Sequence, residues 1–236
     1  IRPTVMNSLH LFEPMLLENV SVVHGANPVV FGSPAVNGVL QINPISTFTP
    51  KKENSLLRLY GGYRNIDSGW WMGIVQAYQS PKGGMAYGLT GSRGNDLRGG
   101  EDTGVQEDTA SKLFNGFLNF SFTHESDTFS YFRITFAYLF GNLWDANRSQ
   151  PSFSLRNELQ DKLHLVWSKF EFGLPSPKMD FMLQIAYQRF YEQQDDWSSP
   201  RTRNQTTLSS PLLNARFSWR FSRRTTLFAG LLGQAG

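Results

Sequence analysis

Residues 128–141 read Thr128-Phe129-Ser130-Tyr131-Phe132-Arg133-Ile134-Thr135-Phe136-Ala137-Tyr138-Leu139-Phe140-Gly141. One parity carries Phe132, Ile134, Phe136, Tyr138 and Phe140, and the other carries Tyr131, Arg133, Thr135 and Ala137. Period-two alternation over this length marks a strand with two unlike faces, and aromatic and β-branched residues suit strands. Strands of soluble sheets usually run about 5–6 residues, whereas a tilted membrane-crossing strand needs about 9–11. An Arg on a lipid face near the bilayer midplane costs on the order of 2–4 kcal/mol. Arg133 is therefore expected to face a wet lumen, with the Phe and Ile parity toward lipid.

The pattern recurs outward from this stretch. In 213–221, Leu213, Ala215, Phe217, Trp219 and Phe221 oppose Asn214, Arg216, Ser218 and Arg220. In 181–188, Phe181, Leu183, Ile185 and Tyr187 oppose Met182, Gln184, Ala186 and Gln188. In 114–123, Phe114, Gly116, Leu118, Phe120 and Phe122 oppose Asn115, Phe117, Asn119, Ser121 and Thr123. Weaker strands fit 55–64, 69–79, 85–94, 160–172 and 225–232, which gives about nine. Arg58, Arg64, Arg133, Arg216 and Arg220 are expected on the lumen side.

In 160–172, Leu163, Leu165 and Trp167 share a parity with Lys169 and Glu171, while Phe170 and Phe172 take the other. Either a β-bulge near Ser168 switches the parity, or Lys169 and Glu171 sit at the periplasmic rim. Taking Leu163 and Leu165 as lipid-facing puts His164 on the lumen side.

Connections give a second signal. After a short first link at 65–68, short links at 81–84, 124–127, 174–178 and 222–224 alternate with long ones at 95–112, 142–159 and 192–207. Outer-membrane barrels pair short periplasmic turns with longer extracellular loops, so the three long connections are expected outside.

Composition agrees with alternation. Of 236 residues, 40% are hydrophobic, 14% aromatic and only 17% charged, against about 25% charged in soluble domains. Mean hydropathy is −0.34, and no run approaches the ~18 apolar residues of a membrane helix. There is no Cys, which excludes disulfides, thiolate metal sites and a cysteine nucleophile. The net charge is +3, but the basic residues are spread singly among aromatics, which argues against nucleic acid. Both ends of the chain read as cut from something longer.

The first fifty residues differ in texture. Glu18-Asn19-Val20-Ser21-Val22-Val23-His24-Gly25-Ala26-Asn27-Pro28 is followed by Phe31-Gly32-Ser33 and then Ala35-Val36-Asn37-Gly38-Val39-Leu40-Gln41-Ile42. The order is strand, tight turn, small-residue segment, strand, with Gly25, Gly32 and Gly38 supplying positive φ or close backbone approach. This order resembles the end of the plug domain of TonB-dependent outer-membrane receptors. The family closes its plug with a Glu-containing strand, an Arg-Gly-Pro turn, a Tyr-Gly step, a Gly-Gly segment and an Ile-Asn-Ile strand. The residues matching that motif are Glu18, His24, Gly25, Phe31, Gly32 and Gly38. Here His24-Gly25-Ala26 stands for Arg-Gly-Pro, and Leu40-Gln41-Ile42 for the last strand.

The resemblance implies the C-terminal part of a plug over 1–50 and the first part of a barrel over 51–236, with its first strand starting at Asn54. It implies about nine strands of a 22-strand barrel in the outer membrane. It also implies active uptake of a scarce ligand, such as a ferric siderophore or a corrinoid, powered by the TonB-ExbB-ExbD energy-transducing complex. The segment that contacts TonB lies upstream in the family. The expected fold class is thus all-β, a partial antiparallel transmembrane β-barrel preceded by the end of an α+β plug. Taken alone, the chain is expected to form an open, curled sheet with two unpaired edges.

Signals for enzymes are weak. His10, His24, His124 and His164 lack metal-ligand spacing, and Gly91-Ser92-Arg93-Gly94 follows a strand without a helix behind it, so it is no nucleophile elbow. No catalytic residue, cofactor or metal site is expected. The long connections carry the ligand candidates Trp144, Asp145, Arg148, Trp197, Arg201 and Arg203, because Trp and Arg at a loop base can stack on and pair with a charged aromatic ligand or metal chelate. Solvated loops that contact outer-membrane lipid and lipopolysaccharide have the same composition. Two other readings fit parts of the sequence, a passive porin and a soluble β-sandwich binding module.

Overall fold

The computed structural model describes residues 11, 13–23, 39–44, 54–98, 104–106, 109–127, 130–150, 155–175, 178–196, 200–221 and 225–234, with only the backbone for 14, 23, 39–44, 106, 147–150, 155–157 and 234. A 3-10 turn, Pro14–Leu16, leads into β1 (Leu17–Val23), which pairs antiparallel with β2 (Val39–Pro44). His24, Gly25, Phe31, Gly32 and Gly38 lie outside the described residues; Glu18 sits in β1, where the register slips between Leu17 and Asn19.

The rest is one nine-stranded antiparallel meander. Its strands are β3 (Asn54–Arg64), β4 (Gly69–Ser80), β5 (Gly83–Gly94), β8 (Ser111–His124), β9 (Tyr131–Gln150), β10 (Leu155–Leu174), β11 (Met179–Asp196), β12 (Thr202–Arg220) and β13 (Thr226–Gln234), paired in that order. A small hairpin, β6 (Leu97–Arg98) with β7 (Val105–Gln106), projects between β5 and β8. The sheet is an arc of antiparallel β-barrel, with β3 and β13 as its edges. Its first strand begins at Asn54, and its strand number agrees with the nine periodic segments of the sequence.

Two of the expected long loops prove to be mostly strand. The ladder of β9 and β10 continues through 142–150 and 155–159, and that of β11 and β12 through 192–196 and 202–207. The apolar alternation stops near Leu143 and Phe190, but backbone N–H and C=O groups still need partners, and polar Gln, Asn and Thr side chains do not prevent pairing. Only 95–110 remains a long connection at that end.

Of the two readings of 160–172, the one with a parity switch near Ser168 is absent. Register between β9 and β10 is continuous from Asp161 to Gly173. Phe170 and Phe172 face with Ile134 and Phe132, and Lys169 and Glu171 face with Thr135 and Arg133. This reverses the expected sides of Leu163, Leu165 and His164: Leu163 pairs across from Gly141, while His164 pairs across from Phe140. The irregularity lies higher, where Leu159 pairs with Ala146 and Asp161 with Leu143. Gln160 thus opposes both Trp144 and Asp145, a β-bulge, with Asp145 at φ 51°.

The two faces of the sheet differ as the alternation demands, with an inversion. On the face that carries Leu11 and Leu16, the buried side chains are Val75, Ala77, Ala86, Thr90, Asn115, Phe117, Asn119, Ser121, Thr123, Thr135, Ala137, Leu139, Leu143, Asp161, Leu163 and Phe190. We call it the inner face. Its register partners are consistent throughout, as in Val75 with Gly88, Gly88 with Phe117 and Phe117 with Leu139. The outer face holds the exposed Leu59 (72%), Met72 (58%), Phe120 (50%), Phe122, Phe136, Ile185 and Tyr187. The buried face is thus rich in Asn, Ser and Thr, and the exposed face is apolar. Water favours the opposite arrangement.

Candidate functional site

The site is the inner face where the N-terminal segment lies against it. Leu11 and Leu16 are buried and join Val75, Phe117, Leu139 and Phe190 in one apolar cluster. Fully burying side chains of this size contributes about 1.5–3 kcal/mol each. Two glycines make the close approach feasible. A Cβ at Gly141 would stand 2.9 Å from both the Cβ and the carbonyl oxygen of Leu11, and one at Gly88 would stand 2.8 Å from Leu16 Cδ2. Asn115, 1% exposed, donates from Nδ2 to the Leu11 carbonyl at 2.9 Å. Its Oδ1 accepts a hydrogen bond from the Thr90 hydroxyl. One strand residue thus holds the segment's backbone and is itself oriented by the next strand. Burial pushes the Glu13 carboxyl above the ordinary carboxylate range, and the Arg64 guanidinium acts against that.

The five arginines expected on one side are placed on one side. Register puts Arg58 across from Val75, Arg64 across from Gly69 and Arg133 across from Thr123 and Glu171. Arg216 stands across from Met182 and Gly230, and Arg220 across from Thr226. All belong to the inner face. They do not form one cluster. Arg64 pairs with Asp67 at 2.7 Å in the 65–68 turn. The Asp67 carboxylate also caps Gly69 N–H at 3.0 Å, and its backbone carbonyl accepts Asn95 N–H at 3.1 Å, so one residue ties the first link to the 95–110 connection.

At the short-turn end, Arg133 Nη1 and Lys169 Nζ reach Glu171 Oε2 at 3.5 and 3.3 Å. Beside them Asp180 accepts from the Tyr131 hydroxyl at 3.0 Å and the Ser218 hydroxyl at 3.3 Å. A cleft of about 550 Å³ lies here, lined by Ser130, Lys178, Asp180, Ser218, Arg220 and Phe228. This end of the inner face is a hydrogen-bonded polar surface with both charge signs, suited to a wet interior.

The ligand candidates fall into two groups at the other end. Trp144 and Asp145 form the bulge, and Asp145 pairs with Lys112 at 2.5 Å. Arg201 and Arg203 converge on Asp195. Arg203 donates from Nε at 2.7 Å and from Nη2 at 2.8 Å, and Arg201 Nη2 lies at 3.4 Å. Bidentate guanidinium contacts of this kind are strong. The Arg203 hydrogen bonds hold the Asp195 carboxyl below the usual carboxylate range, against the effect of burial. Register sets Asp195 and Arg203 opposite each other in line with Gln193 and Gln205, on the outer face, turned away from Leu11. Of Arg148 only the backbone is described, paired with Asn157, and Trp197 lies outside the described residues.

Sequence reading missed Asn115, Thr90 and Asp67 as organisers. A strand Gly signals close backbone approach, and Gly88 and Gly141, both on one face, were that signal. Among the described residues no group of three His, Asp or Glu side chains is placed to hold a metal.

No family model matches the chain, and no curated protein matches it. Among solved structures it is similar to one titled "Copper transporter OprC", at 12% identity and a TM-score of 0.46, over 95% of this chain and 43% of that chain. The chain therefore spans less than half the length of that structure.

Proposed function

We propose that this chain is part of an outer-membrane transporter of the TonB-dependent kind. Its outer face would lie in lipid, and its inner face would line a path partly filled by the N-terminal segment. The observation that carries the reading is the inversion of the sheet. Exposed Leu, Met, Phe and Ile occupy one face, while the other buries Asn, Ser and Thr side by side with the apolar cluster on which Leu11 and Leu16 are seated. A soluble sandwich would cover its apolar face with a second sheet. A passive pore would leave the inner face open, whereas here Asn115 bonds the Leu11 carbonyl.

The mechanism follows from that contact. Transport through a filled barrel needs the filling segment to move or rearrange. Among the described residues its hold on the wall includes the buried hydrogen bond from Asn115 to Leu11 and a small apolar cluster around Leu11 and Leu16. A pull from the TonB-ExbB-ExbD complex on the plug would release it stepwise. The charged inner surface near Arg133, Lys169, Glu171, Arg216 and Arg220 would then pass a hydrated ligand such as a ferric siderophore or a corrinoid. The protein binds and moves its ligand and makes no covalent change to it.

Growth decides the matter. Cells producing the full-length protein, with and without TonB, receive a ferric siderophore or a corrinoid as the only source of that nutrient. Growth that requires both the protein and TonB is expected. Growth that ignores TonB, with steady ion conductance of the purified protein in planar bilayers, would move the chain to the passive-pore reading.

A further inference from the structure

The outer face changes character at the long-strand end in a regular way. Following each strand outward from the apolar side chains, the next outward positions are basic on four strands. On β5, Gly91 is followed on the same face by Arg93; on β8, Phe114 by Lys112; on β11, Tyr187 by Arg189. On β10, Val166 is followed by His164 and then Lys162. Arg93 stands directly across from Lys112, and Arg189 directly across from His164. The basic positions step down the strands from β8 to β11 together with the apolar and aromatic residues just below them, Phe114, Phe140, Val166 and Tyr187, while Trp144 and Tyr191 lie farther out on the same face. Strands in a closed barrel tilt by about 35–45°, so residues at one height shift along successive strands in just this manner.

The short-turn end has His124 as a counterpart to His164 but no described Lys or Arg at such positions. There the outward positions beyond Tyr78, Phe122, Phe172, Phe181 and Trp219 are Ser80, His124, Leu174, Met179 and Phe221. Among the described strand positions, none at that end turns Lys or Arg outward. Arg93 and Arg189 are exposed, and no described carboxylate pairs with either. Lys162 Nζ lies 5.7 Å from the centre of the Tyr191 ring, and Lys112 is shared with Asp145.

We propose that Arg93, Lys112, Lys162 and Arg189 form a binding edge for the phosphorylated sugar head groups of lipopolysaccharide, with its acyl chains on the apolar outer face below. The inference rests on the membrane reading above and adds a lipid site and an orientation. Charge complementarity and placement both support it. Guanidinium and ammonium groups on a wall at the boundary of an apolar band meet phosphate where solvent screening is incomplete. A leaflet of phosphorylated glycolipid offers such phosphates at that depth. The basic end therefore faces outside, which orients the sheet independently of connection lengths.

Full-length protein purified from outer membranes is assayed by native mass spectrometry for retained lipopolysaccharide. The quadruple variant R93Q/K112Q/K162Q/R189Q is expected to bind at least about tenfold more weakly, and R93Q or R189Q alone a few-fold. The variant K82Q/K178Q, which changes exposed turn residues at the opposite end, is expected to bind as the unaltered protein does. Lipopolysaccharide stripped of phosphate, and phosphatidylglycerol, are expected to bind weakly to every form. Equal retention by the quadruple and unaltered proteins would overturn the inference, as would equal binding of phosphatidylglycerol. If the unaltered protein fails to fractionate with outer membranes, the membrane reading itself falls. If the quadruple variant does not fold, which heat-dependent gel migration reports, the single variants decide.

Discussion

Strands β9 to β12 each contain two regions that share a ladder and little else. Near the short turns, outward positions hold Ile134, Phe136, Tyr138, Phe181, Ile185 and Leu213. Beyond Leu143 and Phe190 the outward positions on the same strands hold Gln160, Gln193, Gln205 and Thr207, with Asp195 gripped by Arg203. Backbone pairing runs through both without a break on β11 and β12. The difference teaches that hydrogen-bonded strand and alternating hydrophobicity are separate properties. The ladder satisfies the backbone everywhere, while side-chain alternation reports the medium on each side.

Three changes would break or sharpen this contrast. The largest effect belongs to the apolar region. Phe136→Arg puts a cation on the lipid side and is expected to cost about 2–4 kcal/mol, while Gln205→Arg in the upper region should stay within about 0.5 kcal/mol. Denaturant unfolding in lipid vesicles measures both, and equal costs would remove the distinction between the regions.

Next comes the inner wall of the lower region. Gly141→Val forces a side chain into Leu11 and is expected to cost about 1–3 kcal/mol by overpacking. Gly91→Ala, whose Cβ would meet only Phe114 at 3.9 Å, should change little. Thermal unfolding, with protease susceptibility ahead of β1, reports the release of the segment.

The smallest effect belongs to Asp195. Its carboxyl is held below the usual range by Arg203, so its unfolded value, near 3.9, is the higher one. The pair therefore contributes fully above about pH 4, and the contribution fades as pH falls through the folded value. Protection factors of the amides around 192–205, which remove the slower intrinsic exchange in acid, should fall a few-fold between pH 6 and pH 3, the scale of an ion pair whose guanidinium is half-exposed. Asp195→Asn should show the lower protection at both values.

The fold was legible where two media touch the sheet. Phe132 to Phe140 against Arg133 and Thr135 announces a strand, its length and its faces. The upper halves of β9 to β12 were not legible, because Asn142, Gln160, Gln193 and Asn204 face water on both sides and carry no period. On β10 the faces were misread. Leu163 and Leu165 are apolar yet inward, packing with Gly141 and Phe190 in the cluster that receives Leu11. An apolar side chain is equally content beside lipid or beside a packed segment, so only register could decide. Of the site, the arginine face could be read from parity. The grip of Asn115 on Leu11 could not, since the two are 104 positions apart.

The bulge at Trp144 and Asp145 bears on how the sequence can drift. Facing along a strand works as a reading frame of two, and losing one residue inside 132–142 would swap every later side chain to the wrong medium. At the bulge the frame already holds a spare letter. Leu143 and Ala146 both belong to the inner set although three positions separate them. Removing Asp145 alone would leave Leu143, Trp144 and Ala146 alternating normally, with all neighbours still facing as before. Lys112 would lose its partner, and nothing else in the pattern would move. Within β9 this is where a one-residue deletion is silent to the rest of the wall, and where related chains can differ in length without being rebuilt.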